Sequence, residues 1–356
     1  MNESTSLPIA AAPFEMLIDA RKNAVPLFAS FELTPRCNFN CKMCYVHIKD
    51  SEIESHGKEL GAEQWIELGR QAMQSGTLFL CITGGEPTRH PDFCKIYYEL
   101  SRMGFIITLQ SNLYHLSDEC IELFKKSPPK CIKFTIYGTS DATYQRLCGT
   151  GNGFTEVAKN IKLIKSLGIS LEAVTTVTRD NVDDLPEIQE LMKNLDIPWA
   201  FSAGLRKSVR GADSEVESLR LPDSAYPRLC EDAEYLLKEK SSKSAAKPCE
   251  KCKEYRTGFW IKWDGKMTFC SFLDEPDINA ASLGIAEAWK RLVDFEEKLQ
   301  WPEECQKCKW TKACPRCAAT LATESGTVNK VNKVNKDYCR YIDKIFNNTI
   351  GGIKHG

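Results

Sequence analysis

Between residues 27 and 202, six short apolar, β-rich runs alternate with segments of helical period. The runs lie at 27–33, 78–83, 105–109, 131–137, 171–177 and 199–202. Helical period marks 62–74, 92–103, 118–125, 154–167 and 183–195. Strand–helix repetition joins parallel strands through crossovers. The runs are nearly continuous in apolar residues, as strands covered on both faces are. The pattern predicts an α/β fold, a partial (β/α)6 TIM-like barrel spanning 27–215. Residues 1–26 read as a segment leading into it, with Pro8, Pro13 and Pro26 limiting regular structure and a short helix near 14–21.

The composition changes beyond residue 205. Residues 206–220 are charged, Pro222 precedes a helical stretch at 223–240, and 241–247 is small and polar. Residues 216–247 therefore read as a helical bridge and linker. Residues 248–345 have few long periodic segments and many cysteines, the pattern of a small domain held by metal rather than by a large core. A tail follows at 346–356. Val-Asn-Lys recurs three times within 328–336, a period that suits neither helix nor strand and reads as a solvated connector.

Cysteine is the unusual component, with 17 in 356 residues. The N-terminus has no basic stretch ahead of its proline-broken apolar run, so a secretory signal is not expected. In a reducing cytoplasm, cysteines at tight spacing mean metal rather than disulfides. Cys81, Cys94, Cys120, Cys131, Cys148 and Cys230 stand alone in periodic segments and read as small buried hydrophobes. The formal net charge of −1 gives no reason for a nucleic-acid or anionic-membrane partner. No run approaches the roughly 18 apolar residues of a membrane span.

Directly after the first run stand Cys37, Cys41 and Cys44, spaced x3 and x2. Thiolate is the usual ligand of iron in a [4Fe–4S] cube, and three local ligands leave one iron open. A zinc knuckle is the alternative for the triad read alone. The loop lies where parallel barrels place their chemistry, beyond the strand C-termini. Gly84, Gly85 and Glu86 close the second run, where paired glycines permit close backbone approach and Glu86 offers a carboxylate. Ser111 and Asn112 end the third, and Thr135 lies in the fourth.

This arrangement resembles the radical SAM superfamily, whose signature is Cys-x3-Cys-x2-Cys after the first strand. Met43 stands where that signature commonly has an aromatic residue. The resemblance implies that the amino and carboxylate groups of S-adenosylmethionine (SAM) chelate the open iron. One electron then releases a 5′-deoxyadenosyl radical that abstracts hydrogen. It also implies SAM contacts at Gly84, Gly85 and Glu86 (ammonium), at Ser111, Asn112 and Thr135 (ribose and methionine), at Arg146 (carboxylate) and at Val174 (adenine).

The C-terminal region carries Cys249-x2-Cys252, Gly265-x4-Cys270, Cys305-x2-Cys308-x5-Cys314-x2-Cys317 and Cys339. Two Cys-x2-Cys pairs alone suit a zinc ribbon. The full pattern resembles the SPASM extension of radical SAM enzymes, although Cys314 and Cys317 stand one residue closer than that family's usual pair. It implies two auxiliary clusters, three [4Fe–4S] clusters in all. Cys249, Cys252, Cys270 and Cys317 would hold the first, and Cys305, Cys308, Cys314 and Cys339 the second.

Residues 137–140 and 151–154 resemble the peptide-maturase branch. That implies a cytoplasmic enzyme that makes a thioether or C–C link, or a related oxidative change, in a ribosomal precursor peptide. It would be served by a flavodoxin- or ferredoxin-type reductant. The 26 residues before the first run are too few for a fused leader-binding domain, so a separate leader-binding protein or direct recognition is expected. An anaerobic sulfatase-maturase-like enzyme ranks second, because Ser271 stands where those enzymes place an acidic base. A non-catalytic electron-transfer or zinc-stapled module is the reading from another class. Tyr137, Glu172 and Asp213 are the weakest-supported candidates, as acid or base.

Overall fold

The computed structural model describes residues 13–222, 246–250, 252, 254–311, 314, 316–328 and 334–353. The bridge helix at 223–240, most of the polar linker, Cys230, the first 12 residues and the middle of the Val-Asn-Lys repeat lie outside the described residues.

The six runs form six parallel strands: β1 (Phe28–Glu32), β2 (Phe79–Thr83), β3 (Ile106–Ser111), β4 (Cys131–Thr135), β5 (Leu171–Thr176) and β6 (Trp199–Ser202). Each crossover carries a helix. The helix Ala62–Gln74 turns Trp65, Ile66, Leu68 and Ala72 into the core. The helix Asp118–Lys126 starts where the Ser117 hydroxyl accepts from the Cys120 amide at 3.2 Å, with acidic residues in its first turn and Lys125 and Lys126 in its last. The sequence reading missed the 14-residue helix Ile285–Lys298 and, between β4 and β5, a shorter one. Asp141–Cys148 is capped by Ser140 and stopped by Gly149 at φ +71°. It is only two turns long, too short for a helical period to stand out.

The sheet does not end with these strands. Its order is β6-β5-β4-β3-β2-β1-β7-β8, where β7 is Gly258–Ile261 and β8 is Met267–Thr268. β7 pairs in parallel with β1, from Phe28 opposite Gly258 to Phe31 opposite Ile261, and β8 returns antiparallel. The expectation of a cysteine-rich region with little core of its own is therefore refined. Its first hairpin extends the barrel sheet. The helix Ile285–Lys298 lies against the outside of the barrel, with the Trp289 indole donating to the Ala24 carbonyl at 2.6 Å and Gln71 accepting from the Ile285 amide at 2.9 Å. One apolar cluster runs from Phe31, Leu80 and Ile132 to Phe259, Leu273 and Leu292. Burying each such side chain contributes roughly 1.5–3 kcal/mol. Among the described residues, no helix is long and apolar enough to cross a membrane.

Candidate metal and cofactor site

The strand C-termini open into a cavity of about 400 Å³, lined by Cys37, Cys41 and Cys44 and by residues from β2 to β6. The cysteine loop is fixed from outside. The Asn40 amide donates to the Cys148 carbonyl at 2.9 Å and the Lys42 amide to the Leu147 carbonyl at 3.0 Å, so the end of the Asp141–Cys148 helix clamps it. Phe39 packs between Tyr114 and Tyr144, at 5.0 and 5.8 Å between ring centroids.

Donors already aim at the sulfurs. The Phe39 amide is 3.4 Å from Cys37 Sγ, and the His47 and Val46 amides are 3.2 and 3.5 Å from Cys44 Sγ. Asn112 Nδ2 stands 3.7 Å from Cys37 Sγ, while the Cys41 thiol itself donates to the Tyr137 hydroxyl at 3.5 Å. Burial, then the charge of Cys41, pushes the Cys37 thiol well up. At Cys41 the neighbouring Cys148 thiol is the largest cause and burial the second. Burial, then Cys41, pushes Cys44 up to about 11. Thiols held protonated this way become thiolates when a cationic centre takes them as ligands. Among the described residues, no three His, Cys, Asp or Glu side chains converge on one ion's position. In a cube each thiolate has its own iron, and no shared point is required. The residues present fit a thiolate-held iron–sulfur group with room beside it.

Gly84 and Gly85 line the cavity, yet their necessity is internal. A Cβ on Gly84 would stand 2.7 Å from the Thr34 carbonyl oxygen, and one on Gly85 2.5 Å from that of Arg36. The amides of Gly85 and Glu86 donate to those same two oxygens, each at 2.8 Å. The close approach is thus to the chain entering the cysteine loop. Glu86 is not among the cavity-lining residues. It is buried and accepts from the Asn112 amide at 2.7 Å, the Ser111 hydroxyl at 3.0 Å and the Thr88 hydroxyl at 2.8 Å. Burial raises its carboxyl, against these bonds. Glu86 therefore holds the end of β3 in place, while Ser111 and Asn112 face the cavity.

Thr135, Val174 and Tyr137 also line the cavity. Arg146, Glu172 and Asp213 are not among its lining residues. The Arg146 guanidinium is turned to the Asp180 carbonyl, at 2.6 Å from Nη2 and 3.2 Å from Nε. Glu172 pairs with Lys133 at 3.1 Å. The sequence reading missed Tyr45, Gln110, Lys133, Thr176, Ser202, Arg206 and Phe272, all of which line the cavity. Cys148 is fully buried as expected, but it also lies against Cys41.

Two further thiol groups assemble. Burial first, then Glu296, Cys317 and Cys270, pushes Cys249 up; Cys270 in turn feels Cys317, and Cys252 feels Cys270. Cys305, Cys308, Cys314 and Cys339 face one small cavity with Trp310, Arg316 and Tyr338.

A parallel β/α barrel with a three-thiol loop at its open end defines an enzyme class built to hold a redox metal group there. The sequence signature of the Radical SAM superfamily matches residues 31–192. Those residues are a radical SAM domain, which implies a [4Fe–4S] cluster and SAM.

The sporulation killing factor maturation protein SkfB of Bacillus subtilis is 27% identical over 195 residues, covering 55% of this chain and 46% of SkfB. The PqqA peptide cyclase of Bradyrhizobium diazoefficiens is 24% identical over 218 residues, covering 58% of this chain and 56% of the cyclase. The match thus spans about half the length of either relative. The fold matches Streptococcus suis SuiB bound to the precursor peptide SuiA at a TM-score of 0.66 and 18% identity, over 94% of this chain and 83% of SuiB. It matches anSMEcpe with bound AdoMet at 0.64 and 16%, over 93% and 98%.

Proposed function

We propose that this protein cleaves SAM reductively at the Cys37–Cys41–Cys44 loop and uses the radical to modify a ribosomally made peptide. The observation that carries this is the three-thiol loop opening onto one cavity with Ser111, Asn112 and Thr135. When bound, the cluster supplies the electron that breaks a C–S bond of SAM. The chain's own part is positional. Asn112 and the amides of Phe39, Val46 and His47 orient the sulfurs. Ser111, Asn112, Thr135 and Val174 form the wall against which SAM would lie. Gly84 and Gly85 let that wall close on the loop.

The peptide substrate is supported by the names of the relatives, a maturation protein and a peptide cyclase, and by the SuiB fold with its precursor peptide. The change made would be a thioether or C–C link, or a related oxidation. The Cys249 and Cys305 groups would hold two auxiliary [4Fe–4S] clusters. A flavodoxin- or ferredoxin-type reductant, recognition of the precursor by a separate leader-binding protein or by the barrel itself, and a cytoplasmic setting complete the reading. The sulfatase-maturase alternative ranks second, since Ser271 carries no carboxylate and its hydroxyl is bonded to the Tyr45 phenol.

The test is anaerobic reconstitution with iron and sulfide, then SAM and dithionite. 5′-Deoxyadenosine is expected from the native chain and not from the triple serine variant at positions 37, 41 and 44. Zinc at that loop, or cleavage that survives the three serines, rejects the reading. No cleavage by an iron-loaded native chain would favour an electron-transfer module.

A further inference from the structure

The cavity and the Cys249 group share a wall. Phe272, two residues beyond Cys270, lines the cavity and packs tilted against Tyr45, the residue after Cys44, at 4.3 Å between centroids. Arg206 comes from the segment after β6 and lies over Phe272, its Cζ 5.1 Å from the ring centroid. It lines the cavity with one face and reaches the thiol group with another, its Nη2 3.9 Å from Cys317 Sγ. Nη1 stands 3.5 Å from the Gly204 carbonyl, and Nε is buried with no partner among the described residues. Among the described residues no carboxylate pairs with this guanidinium. Arg206 is half-buried, and a partly desolvated cation without an anion is costly unless an anionic group stands beside it. Cys317 becomes such a group once it is thiolate.

The same thiols meet negative charge elsewhere. Glu254 Oε2 is 3.2 Å from Cys252 Sγ, and Glu254 is not among the cavity-lining residues. The Cys249 group is therefore flanked by a guanidinium where it meets the cavity and by a carboxylate at another corner.

Turning a substrate-centred radical into a closed-shell product releases one electron. If the new bond forms to an S–H or C–H carbon, one proton also leaves. Something close to the cavity has to accept the electron. We propose that Arg206 raises the reduction potential of the Cys249–Cys252–Cys270–Cys317 group and so fits it to take that electron, with Glu254 acting in the opposite sense. This rests on the auxiliary-cluster reading above. Arg206 is a positioning residue here, acting through the field at the group and through an N–H···S contact.

The test uses the full chain with Cys37, Cys41 and Cys44 all replaced by Ala, so that only the C-terminal groups carry iron. The reconstituted protein is titrated electrochemically and followed by EPR. Arg206→Gln is expected to lower the reduced-to-oxidised ratio of one couple at fixed poise at least tenfold, 59 mV for one electron. Arg206→Lys should retain part of that ratio. Glu254→Gln should move the same couple upward. Arg316→Gln, beside Cys305 and Cys314, should move the other couple. An Arg206→Gln titration that coincides with the parent, or a Glu254→Gln shift in the same direction as Arg206→Gln, overturns the inference alone. No iron in that background overturns the auxiliary-cluster reading and the inference with it.

Discussion

Arg210 grips Glu32 through two parallel contacts of 2.9 Å each, with both side chains buried at the end of β1. The Trp260 indole on β7 adds a third bond to the same carboxylate at 3.1 Å. Three distant segments thus meet on one anion, and the Arg210 guanidinium lies over the Tyr45 ring at 5.7 Å.

Breaking that pair from one side should be severe. Arg210→Met leaves a buried carboxylate unpaired and is expected to cost about 3–5 kcal/mol. The double variant with Glu32→Leu should recover a large part of it. Thermal unfolding of the two variants under argon checks this, and equal losses would contradict it.

Gly84→Ala and Gly85→Ala each drive a Cβ onto main-chain oxygen. The expected loss is about 1–3 kcal/mol, together with lower iron content at the neighbouring loop. Gly61→Ala, where nothing stands within 4 Å, is the control and should unfold near the parent.

Cys148 touches Cys41 but belongs to the helix behind the loop. Cys148→Ala is expected to keep the parent's iron content, whereas Cys41→Ala should lose about four irons, one cube's worth. Iron and sulfide assays distinguish the two.

Glu296 is fully buried, and among the described residues neither carboxylate oxygen has a hydrogen bond of good geometry. Burial pushes its carboxyl up to about 8, with Arg256 acting against this. A folded-state value above the free one means the folded chain holds the proton more tightly. That stability is complete below about 4.5 and is lost as pH rises through about 8, roughly 3–5 kcal/mol across the window. Melting temperature measured from pH 5 to 9 should fall in the parent and stay flatter in Glu296→Gln. Parallel curves would refute it.

The barrel was legible because its strands are continuous apolar runs and its helices, Ala62–Gln74 above all, keep a clean period. β7 was not. Four residues, Gly258–Ile261, carry no alternation, and nothing local says that they pair with β1. The cysteine sets could be read because spacing and neighbouring motifs are local. Glu86 could be found but not aimed, since its partners Ser111 and Asn112 come from the next strand. Arg146 offered a fork without a direction, and Thr143 and the Asp180 main chain took it. Tyr45, Arg206 and Phe272 come from three separate segments whose meeting only the fold creates.

β1 is made more than two hundred residues before β7, yet one of its two hydrogen-bonding edges is satisfied only by β7. Until then that edge is an open template for other strands. A gene fragment ending before residue 258 would keep it open permanently and should yield aggregate rather than a working half. Recombinant production is therefore better planned around a chain that retains β7.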